Sequence, residues 1–435
     1  MADAVSGYRP KQFTIISLDE RKIDISNSIL STDYYEDITD HSISVIASVA
    51  NNYDIVNELK IRGGERVVID FETLSGDFKW SDEQRILKIY KISGLDSKKN
   101  ATFFNIHLTT KEFITNETVR CKRKYVGKIS SSVRTILTDV LGTDKFLDKN
   151  IEDTSNSYDF IGCMKRPFKV LQWLSTKSLS NSAGEADPDP TGSHQEKSKG
   201  TCGYFFYENI EGYNFKSVDG MVSKLKESEG SADNKEITKY KYQGKRIESK
   251  NLKDNFTIMD YVFDKNIDLR AALRVGTYNN QTIFYNNEIN DFTVYNYNLK
   301  EFVEDKKLGS ESLLLSEDVD ENPSRIMFRL SDNGTLANIG TETSGREPTD
   351  TSKSHSRYNL LFTQSLNILV PCNVNLKVGD IIDCQFPQMN SGNPKERDPQ
   401  MSGLYLIREL RHHFSANQNT TSLKLMRDSY GPRGN

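Results

Sequence analysis

Cysteine is scarce in this chain of 435 residues, and the five present are odd in number. Cys121, Cys163, Cys202, Cys372 and Cys384 include no C-x-x-C pair. That excludes a disulfide framework and fits free thiols in a reducing cytoplasm. No apolar run approaches the ~18 residues of a membrane helix, so no membrane-spanning segment is expected. The opening MADAVSGYRPKQF lacks an apolar h-region and does not read as a secretory signal. Sequons such as Asn100-Ala-Thr102 then carry no glycan. Charge of one sign is also missing. Against 61 acidic residues stand 57 basic ones, a net −4 that gives no polyanion-binding signature for the whole chain. There is no G-x-x-x-x-G-K-[ST] phosphate loop, no H-E-x-x-H and no G-x-S-x-G.

What is there is β-forming sequence. Tyr (20) and Phe (21) are abundant, and a hydrophobic content of 36% is enough for several cores. The length suits two to four domains. Between residues 13 and 118, FTIISL, KIDIS, SISVIASV, ERVVIDFE, RILKIYKI and TFFNIHLT are short segments punctuated by Asp, Asn, Ser and Gly. Their alternation predicts half-buried antiparallel strands in a small barrel or sandwich. The period then becomes helical. Ile129, Val133, Ile136, Leu137 and Val140 share one face, with serines before them and Gly142 after. A second helix is predicted in RPFKVLQWLSTKSL, with Pro167 in its first turn. GYFFYEN and YNFKSV predict a hairpin turning at Glu211-Gly212. Residues 181–200 and 331–357 are polar and breaker-rich and read as surface or mobile loops. Residues 358–430 return to β.

One piece occurs twice. LKIRGGERVVIDF (59–71) and LKVGDIIDCQF (376–386) both turn at glycine, place an acid next and run into a strand ending in Phe. Gly64 falls on Gly379, Glu65 on Asp380, Val67 on Ile382, Ile69 on Cys384 and Phe71 on Phe386, with Gly63 in the first turn. A register change of two aligns Leu87–Phe113 with Leu404–Tyr430. Ile89 then meets Leu406, Asn100 meets Asn417, Ile106 meets Leu423 and Leu108 meets Leu425. β-meanders resemble one another loosely, but shared order and spacing favour two related antiparallel β-barrels. Residues two apart share a strand face, so Ile106/Leu423 and Leu108/Leu425 should point into equivalent cores. Three copies of such a chain would supply six similar barrels for a closed ring.

Candidate chemistry is thin. His412 and His413 are adjacent on a strand and face opposite ways, so one buried and one solvated imidazole is expected rather than a metal site with Glu409. Asp187 and Asp189 lack the ligand density of a calcium loop. Cys372 and Cys384 read as small apolar residues. The basic run after Cys121, Lys122 to Lys124, reads as a solvated strand end. Glu208 and Glu211 have no partner at glycosidase spacing, and an exposed hairpin explains them. No catalytic, cofactor-binding or metal residue is assigned, and no cofactor is implied.

Four stretches, FNIHLTTKEFITNET (104–118), KRPFKVLQWLSTKS (165–178), YFFYENIEGYNFKS (204–217) and ILVPCNVNLKVGDII (368–382), carry a resemblance. The chain resembles the baseplate central hub protein of T-even-like contractile-tail phages, of the marine cyanophage type. The VP-x-N-x-x-L-x-VGD-x-I pattern is also similar to the hub part of type VI secretion spike proteins. The resemblance implies a mainly β fold with helical insertions, two barrel tube domains and a peripheral domain holding the helices. It implies a homotrimer whose ring adapts a three-fold tail spike to the six-fold tail tube. The implied partners are the spike, tail tube or tube-initiator proteins, baseplate wedge proteins and DNA passing through the lumen. The implied location is the tail baseplate of the virion, assembled in the host cytoplasm, without catalysis by the hub. Cys372 stands where glycine is expected in V-P-G-N, and a left-handed backbone there would strain it. The expected organisation is 10–120 first barrel, 121–240 helix-containing peripheral domain, 241–310 β-rich segment shared between the peripheral domain and the second barrel, 311–357 polar insertion and 358–430 second barrel. A tail-tip cell-wall hydrolase and an off-axis wedge protein are the competing classes.

If the thiols are all free, titration under denaturing, non-reducing conditions finds five reactive cysteines. A count of three would refute this.

Overall fold

A computed structural model describes residues 9–51, 55–73, 75–80, 86–98, 101–180, 203–222, 237–243, 255–265, 268–287, 290–299, 308–309, 322–330, 347–361, 364–388, 397–416, 418–429 and 431. The chain is mainly β, as its alternation predicts. The first half holds β1 (Arg9–Ile16), β2 (Lys22–Asp24), β3 (Ile29–Asp37), β4 (Ser44–Asn51), a one-turn helix α1 (Ile55–Glu58), β5 (Arg66–Thr73), β6 (Gly76–Trp80), β7 (Leu87–Lys98) and β8 (Ala101–Thr110). These pair in the row β3-β4-β8-β7-β5-β1-β2, with β6 also on β5. Buried and part-buried residues alternate along β4, with Val45, Ala47 and Val49 inward.

The peripheral region follows. It comprises α2 (Lys111–Thr118), β9 (Lys124–Tyr125), α3 (Ile129–Thr135) running into a π turn, β10 (Phe160–Ile161), α4 (Pro167–Ser175) and the hairpin β11 (Tyr204–Asn209) and β12 (Gly212–Ser217). Pro167 occupies the first turn of α4, where its missing N–H costs nothing. The Asn116 side chain accepts the Phe168 N–H at 2.9 Å. The predicted second helix and hairpin are therefore present, but the hairpin is not exposed. Phe205 and Tyr207 enter the main core, while Tyr204 and Phe206 enter a separate core with Tyr125, Val133, Leu171 and Phe215. A strand covered on both faces explains the unbroken aromatic run.

The second half is assembled from two pieces. β13 (Lys239–Tyr242), β14 (Thr257–Ile258) and β15 (Asp260–Lys265) precede an insertion. The insertion contains α5 (Leu269–Val275), β16 (Asn279–Asn286), β17 (Asp291–Asn298), β18 (Arg325–Leu330) and α6 (Glu347–Leu361). β19 (Gln364–Pro371), β20 (Ile381–Gln385), β21 (Gly403–Ser415) and β22 (Asn419–Arg427) complete the row β15-β19-β22-β21-β20-β13-β14. The second row thus draws its first strands from residue 239 onward, ahead of the segment 358–430 that supplies the rest. The two rows have the same strand order. They differ at one end, where β13 runs parallel to β20 and β14, whereas β1 runs antiparallel to β5 and β2. The rows are not two separate closed barrels. They join into one 15-stranded sheet through seven antiparallel pairs between β21 and β3, from Glu409↔Asp37 to Ser415↔Ser31.

Two polar stretches were expected to be loops. Residues 181–200 lie outside the described residues, as do 331–346. From Glu347, however, the second stretch is α6. Ser352, Ser354, Ser356 and Arg357 in it are buried rather than solvated. Ser352 meets Thr282 at 2.6 Å, the Ser356 hydroxyl donates to the Thr277 carbonyl, and Arg357 reaches Asp428 at 2.6 Å and Asp219 at 2.8 Å. A helix buried through polar contacts leaves no apolar stripe to read.

Gly64 and Gly379 both have left-handed backbone, at φ +94° and +88°. A Cβ on Gly64 would meet nothing nearer than Leu18 Cδ2 at 3.9 Å, whereas one on Gly379 would lie 2.2 Å from the Tyr207 hydroxyl. Gly64→Ala should therefore cost about 1–2 kcal/mol, from the backbone alone. Gly379→Ala should cost clearly more, because Tyr207 must also leave its place. Urea unfolding of the two variants checks the order, and equal losses would contradict it.

Candidate functional site

The equivalence of the two rows can be followed bond by bond. The Gly64 N–H donates to the Ile89 carbonyl at 2.7 Å, and the Ile89 N–H returns to the Glu65 carbonyl at 3.0 Å. The Gly379 N–H donates to the Ile407 carbonyl at 3.1 Å, and the Ile407 N–H returns to the Asp380 carbonyl at 2.9 Å. Ile89 pairs with Leu108 before the register breaks ahead of Lys91. Ile407 pairs with Leu425 before the register breaks ahead of Glu409. Both rows therefore carry a bulge at the same point.

Ile106 and Leu423 lie opposite Ile92 and Leu410, two residues beyond Leu108 and Leu425 on the same face. Ile89, Ile106, Leu108, Leu406, Leu423 and Leu425 are all buried. The bonds of Ile89 recur at Ile407, not at Leu406, one residue from the alignment by sequence. β7 holds a second irregularity between Ser93 and Asp96, near Gly94 at φ +67°, so one register cannot fit both strands of the hairpin. Asn100 and Asn417 lie outside the described residues.

The two turns differ in who accepts their amides. Glu65 is buried, and its carboxylate accepts the N–H of Arg62 at 2.6 Å and of Gly63 at 2.9 Å. Val378 occupies the position of Gly63, and its N–H goes instead to Glu36 of β3, at 2.8 Å. Glu36 also accepts the Tyr34 hydroxyl at 2.6 Å and the Ile210 N–H at 2.6 Å. One carboxyl thus ties the first row, the second row and the β11–β12 hairpin. Asn209 Nδ2 donates to the Val378 carbonyl at 3.3 Å, and Lys377 pairs with Glu211 at 2.5 Å. Glu208 is 2% exposed and accepts the Thr110 hydroxyl at 2.9 Å and the Ile43 N–H at 3.3 Å. Glu208 and Glu211 are structural contacts at the junction. Glu36 was missed by the sequence reading, although inward-facing Thr32, Tyr34 and Ile38 mark its face.

The seam continues along β21. The carboxylate of Asp33 meets His413 Nδ1 at 2.6 Å and Arg411 Nε at 3.0 Å. His412 is buried, stacks on Tyr34 with centroids 5.9 Å apart, and meets the Thr421 hydroxyl at 2.8 Å. Burial pushes its imidazole down to about 3, so it is neutral. Among the described residues no three His, Cys, Asp or Glu side chains gather as metal ligands. Cys372 and Cys384 are buried free thiols, and burial raises Cys372 to about 12. The backbone of Cys372 is not left-handed, so the feared strain does not arise. Asp187, Asp189 and Cys202 lie outside the described residues. Among those residues no helix is long and apolar enough to cross a membrane.

No protein-family model matches the chain, and no curated protein matches it by sequence. Solved structures do. The 43 kDa tail protein of prophage MuSo2 from Shewanella oneidensis aligns over 96% of this chain and 98% of its own, at TM-score 0.52 and 6% identity. The chain has the fold of a phage tail protein. A tail protein from Neisseria meningitidis aligns over 97% of each chain at TM-score 0.49 and 8% identity. A component of the type VI secretion system of E. coli, described as structurally similar to T4 bacteriophage tail proteins, aligns over 98% of this chain and 79% of its own, at TM-score 0.39 and 9% identity. The fold assignment rests on the Shewanella likeness.

Burial raises the Glu36 carboxyl to about 7; its three donors pull the other way, and Asp380 adds to the rise. Burial raises Glu208 to about 8, with Glu112 adding and Lys145 opposing. Both folded values exceed the unfolded carboxyl value near 4.3. Native protein therefore holds protons that the unfolded chain has already released. The stability this contributes is full below the unfolded value and is lost as pH rises through 7 for Glu36 and 8 for Glu208. In Glu36→Gln, stability should fall less steeply between about pH 5 and 8 than in the parent, by on the order of 2–3 kcal/mol. Parallel urea-midpoint curves for the two proteins would refute the assignment.

Proposed function

We propose that the chain is a non-catalytic structural protein of a phage tail, the trimeric central hub of a contractile baseplate. The observation that carries this reading is the duplicated row with matching order, turns and bulge. In this reading each row curls into a tube domain. The end strands of each row adjoin in the chain. β2 and β3 are separated by the short turn Ser26–Ser28, and β14 and β15 by Met259 alone, whose N–H donates to the Leu369 carbonyl at 2.8 Å. Three chains then give six similar units around one axis. Such a ring suits a three-fold spike on one side and a six-fold tube on the other.

The proposed partners are two further copies, the tail spike, tail tube or tube-initiator proteins and wedge proteins, with DNA crossing the lumen. The proposed place is the virion baseplate, assembled in the host cytoplasm. Outward apolar residues support a subunit destined for assembly. Phe292, Val294, Ile326, Phe328 and Leu330 on β17 and β18 are each more than half exposed. An off-axis wedge protein would share the fold without closing a ring, so copy number separates the two readings. Native mass measurement, alone and with the tail spike, should give three copies. A monomer under both conditions would overturn the hub.

A further inference from the structure

We infer that the outer stripe of α4 is a docking surface for an acidic segment of a neighbouring tail protein. The inference rests on the tail reading only for the identity of that partner. It starts from a charge asymmetry. Residues 119–180 hold twelve basic side chains against six acidic ones, in a chain whose net charge is −4. Three arginines of this region find acids close by. Arg123 meets Asp139 at 2.8 Å, Arg134 meets Asp153 at 3.0 Å and Arg166 meets Glu117 at 2.8 Å. Lys165 and Lys169 are exposed and have no carboxylate within 4.0 Å among the described residues.

The helix sets the lysines in a row. α4 turns Phe168, Val170, Leu171 and Leu174 into the core. Lys169 and Trp173 are four residues apart on its outer side, with Lys165 four residues before them and Lys177 four after. Trp173 anchors the row. Tyr158 and Phe160 meet its ring edge-on, each with centroids 5.4 Å away. The Lys165 and Lys177 ammonium groups lie over that ring, 5.3 and 5.5 Å from its centroid, and Lys177 lies 4.9 Å from that of Tyr158. Each ammonium group is attracted to the ring, but two like charges are thereby gathered at one place. An anion lying across both relieves their repulsion.

The kind of anion follows from what the stripe offers. A nucleic-acid base stacks on an open aromatic face, and Trp173 presents its ring to lysines. Phosphate is favoured by an arginine fork, and Arg166 is already held by Glu117. Gln172 and Thr176 flank the stripe, so it offers a lipid surface no apolar face to bury. A row of lysines about a half-buried indole suits carboxylates spaced along a peptide, with one apolar side chain set against the ring. The charges are at the surface, so such binding weakens with salt.

The test titrates the full-length protein with a short synthetic peptide of Asp and Glu around one Leu, and with its Asn/Gln counterpart. Trp80 is 2% exposed, so a change in tryptophan emission reports Trp173, the only other tryptophan. The acidic peptide should change that emission and bind less tightly as salt rises, whereas the Asn/Gln peptide should leave it unchanged. Lys165→Gln, Lys169→Gln and Lys177→Gln together should weaken binding roughly tenfold, as loss of three surface ion pairs implies, with the far-UV signature of the fold intact. No emission change with the acidic peptide, or equal binding by the triple variant, would overturn the inference. So would a stronger response to single-stranded DNA or to vesicles of anionic lipid. Residues 181–200 carry Glu185, Asp187, Asp189 and Glu196. Binding that appears only after their deletion would give the stripe to the chain's own carboxylates and overturn the partner. In assembled tails, carbodiimide should join Lys165 or Lys169 to an Asp or Glu of another protein, and links confined to this chain count against it. Peptide binding by a chain that stays monomeric would keep this surface and discard the hub; three copies without peptide binding would do the reverse.

Discussion

The junction of the two halves depends on one strand that belongs to both rows. β21 is 13 residues long, and its first residues, Gly403 to Leu406, pair with β20, with β22 joining from Leu406. Its remainder lies between β22 and β3. Leu406 and Leu410 fill the second half, whereas His412 and Phe414 reach Tyr34, Phe71 and Phe78 of the first. The two halves cannot rotate against each other without breaking backbone hydrogen bonds and emptying a shared core. Each such core side chain contributes about 1.5–3 kcal/mol by leaving water. That rigidity is what an element of a ring requires.

Polar groups at the junction follow from the same geometry. The end of β3 runs beside the turn before β20, and that turn offers N–H groups no strand can take. A buried carboxyl supplies the acceptor, and burial raises its proton affinity. Arg357 plays a similar part elsewhere, holding Asp219 of the peripheral region and Asp428 after β22. Buried ions of this kind do little for net stability, because desolvation offsets attraction. Their geometry is demanding, however, and misdocked halves would leave charges unpaired.

Much of the fold was legible because it is written in short-range pattern. Val45, Ala47 and Val49 alternate, Pro167 opens α4, and Gly64 and Gly379 mark matching turns. What was hidden depends on partners distant in sequence. α6 looked like a loop because Ser352, Ser356 and Arg357 satisfy one another's neighbours rather than forming an apolar stripe. The hairpin at Glu208 looked solvated because a strand buried on both faces has no alternation. The β-rich segment from 241 was legible as shared with the second barrel, but its strand partners were not, since an insertion of more than 90 residues parts β15 from β19. Ile89 was matched to Leu406 rather than Ile407 because an irregularity in β7 adds a residue that no sequence rule announces.

The differences between the rows say as much as their likeness. A perfect duplicate would use a glutamate to close each turn on itself, as Glu65 does. The second row has Asp380, one methylene shorter, and the amide of Val378 is taken by Glu36 instead. Through Glu36 the same turn gains Ile210, and through Val378 it gains Asn209. The β11–β12 hairpin is therefore fastened to the second turn, and Tyr207 fills the space that a side chain on Gly379 would need. One row keeps a turn satisfied within itself; the other has given its turn to the peripheral region. Equal strands with unequal turns let two halves repeat one architecture while holding the helices at a single place in each chain.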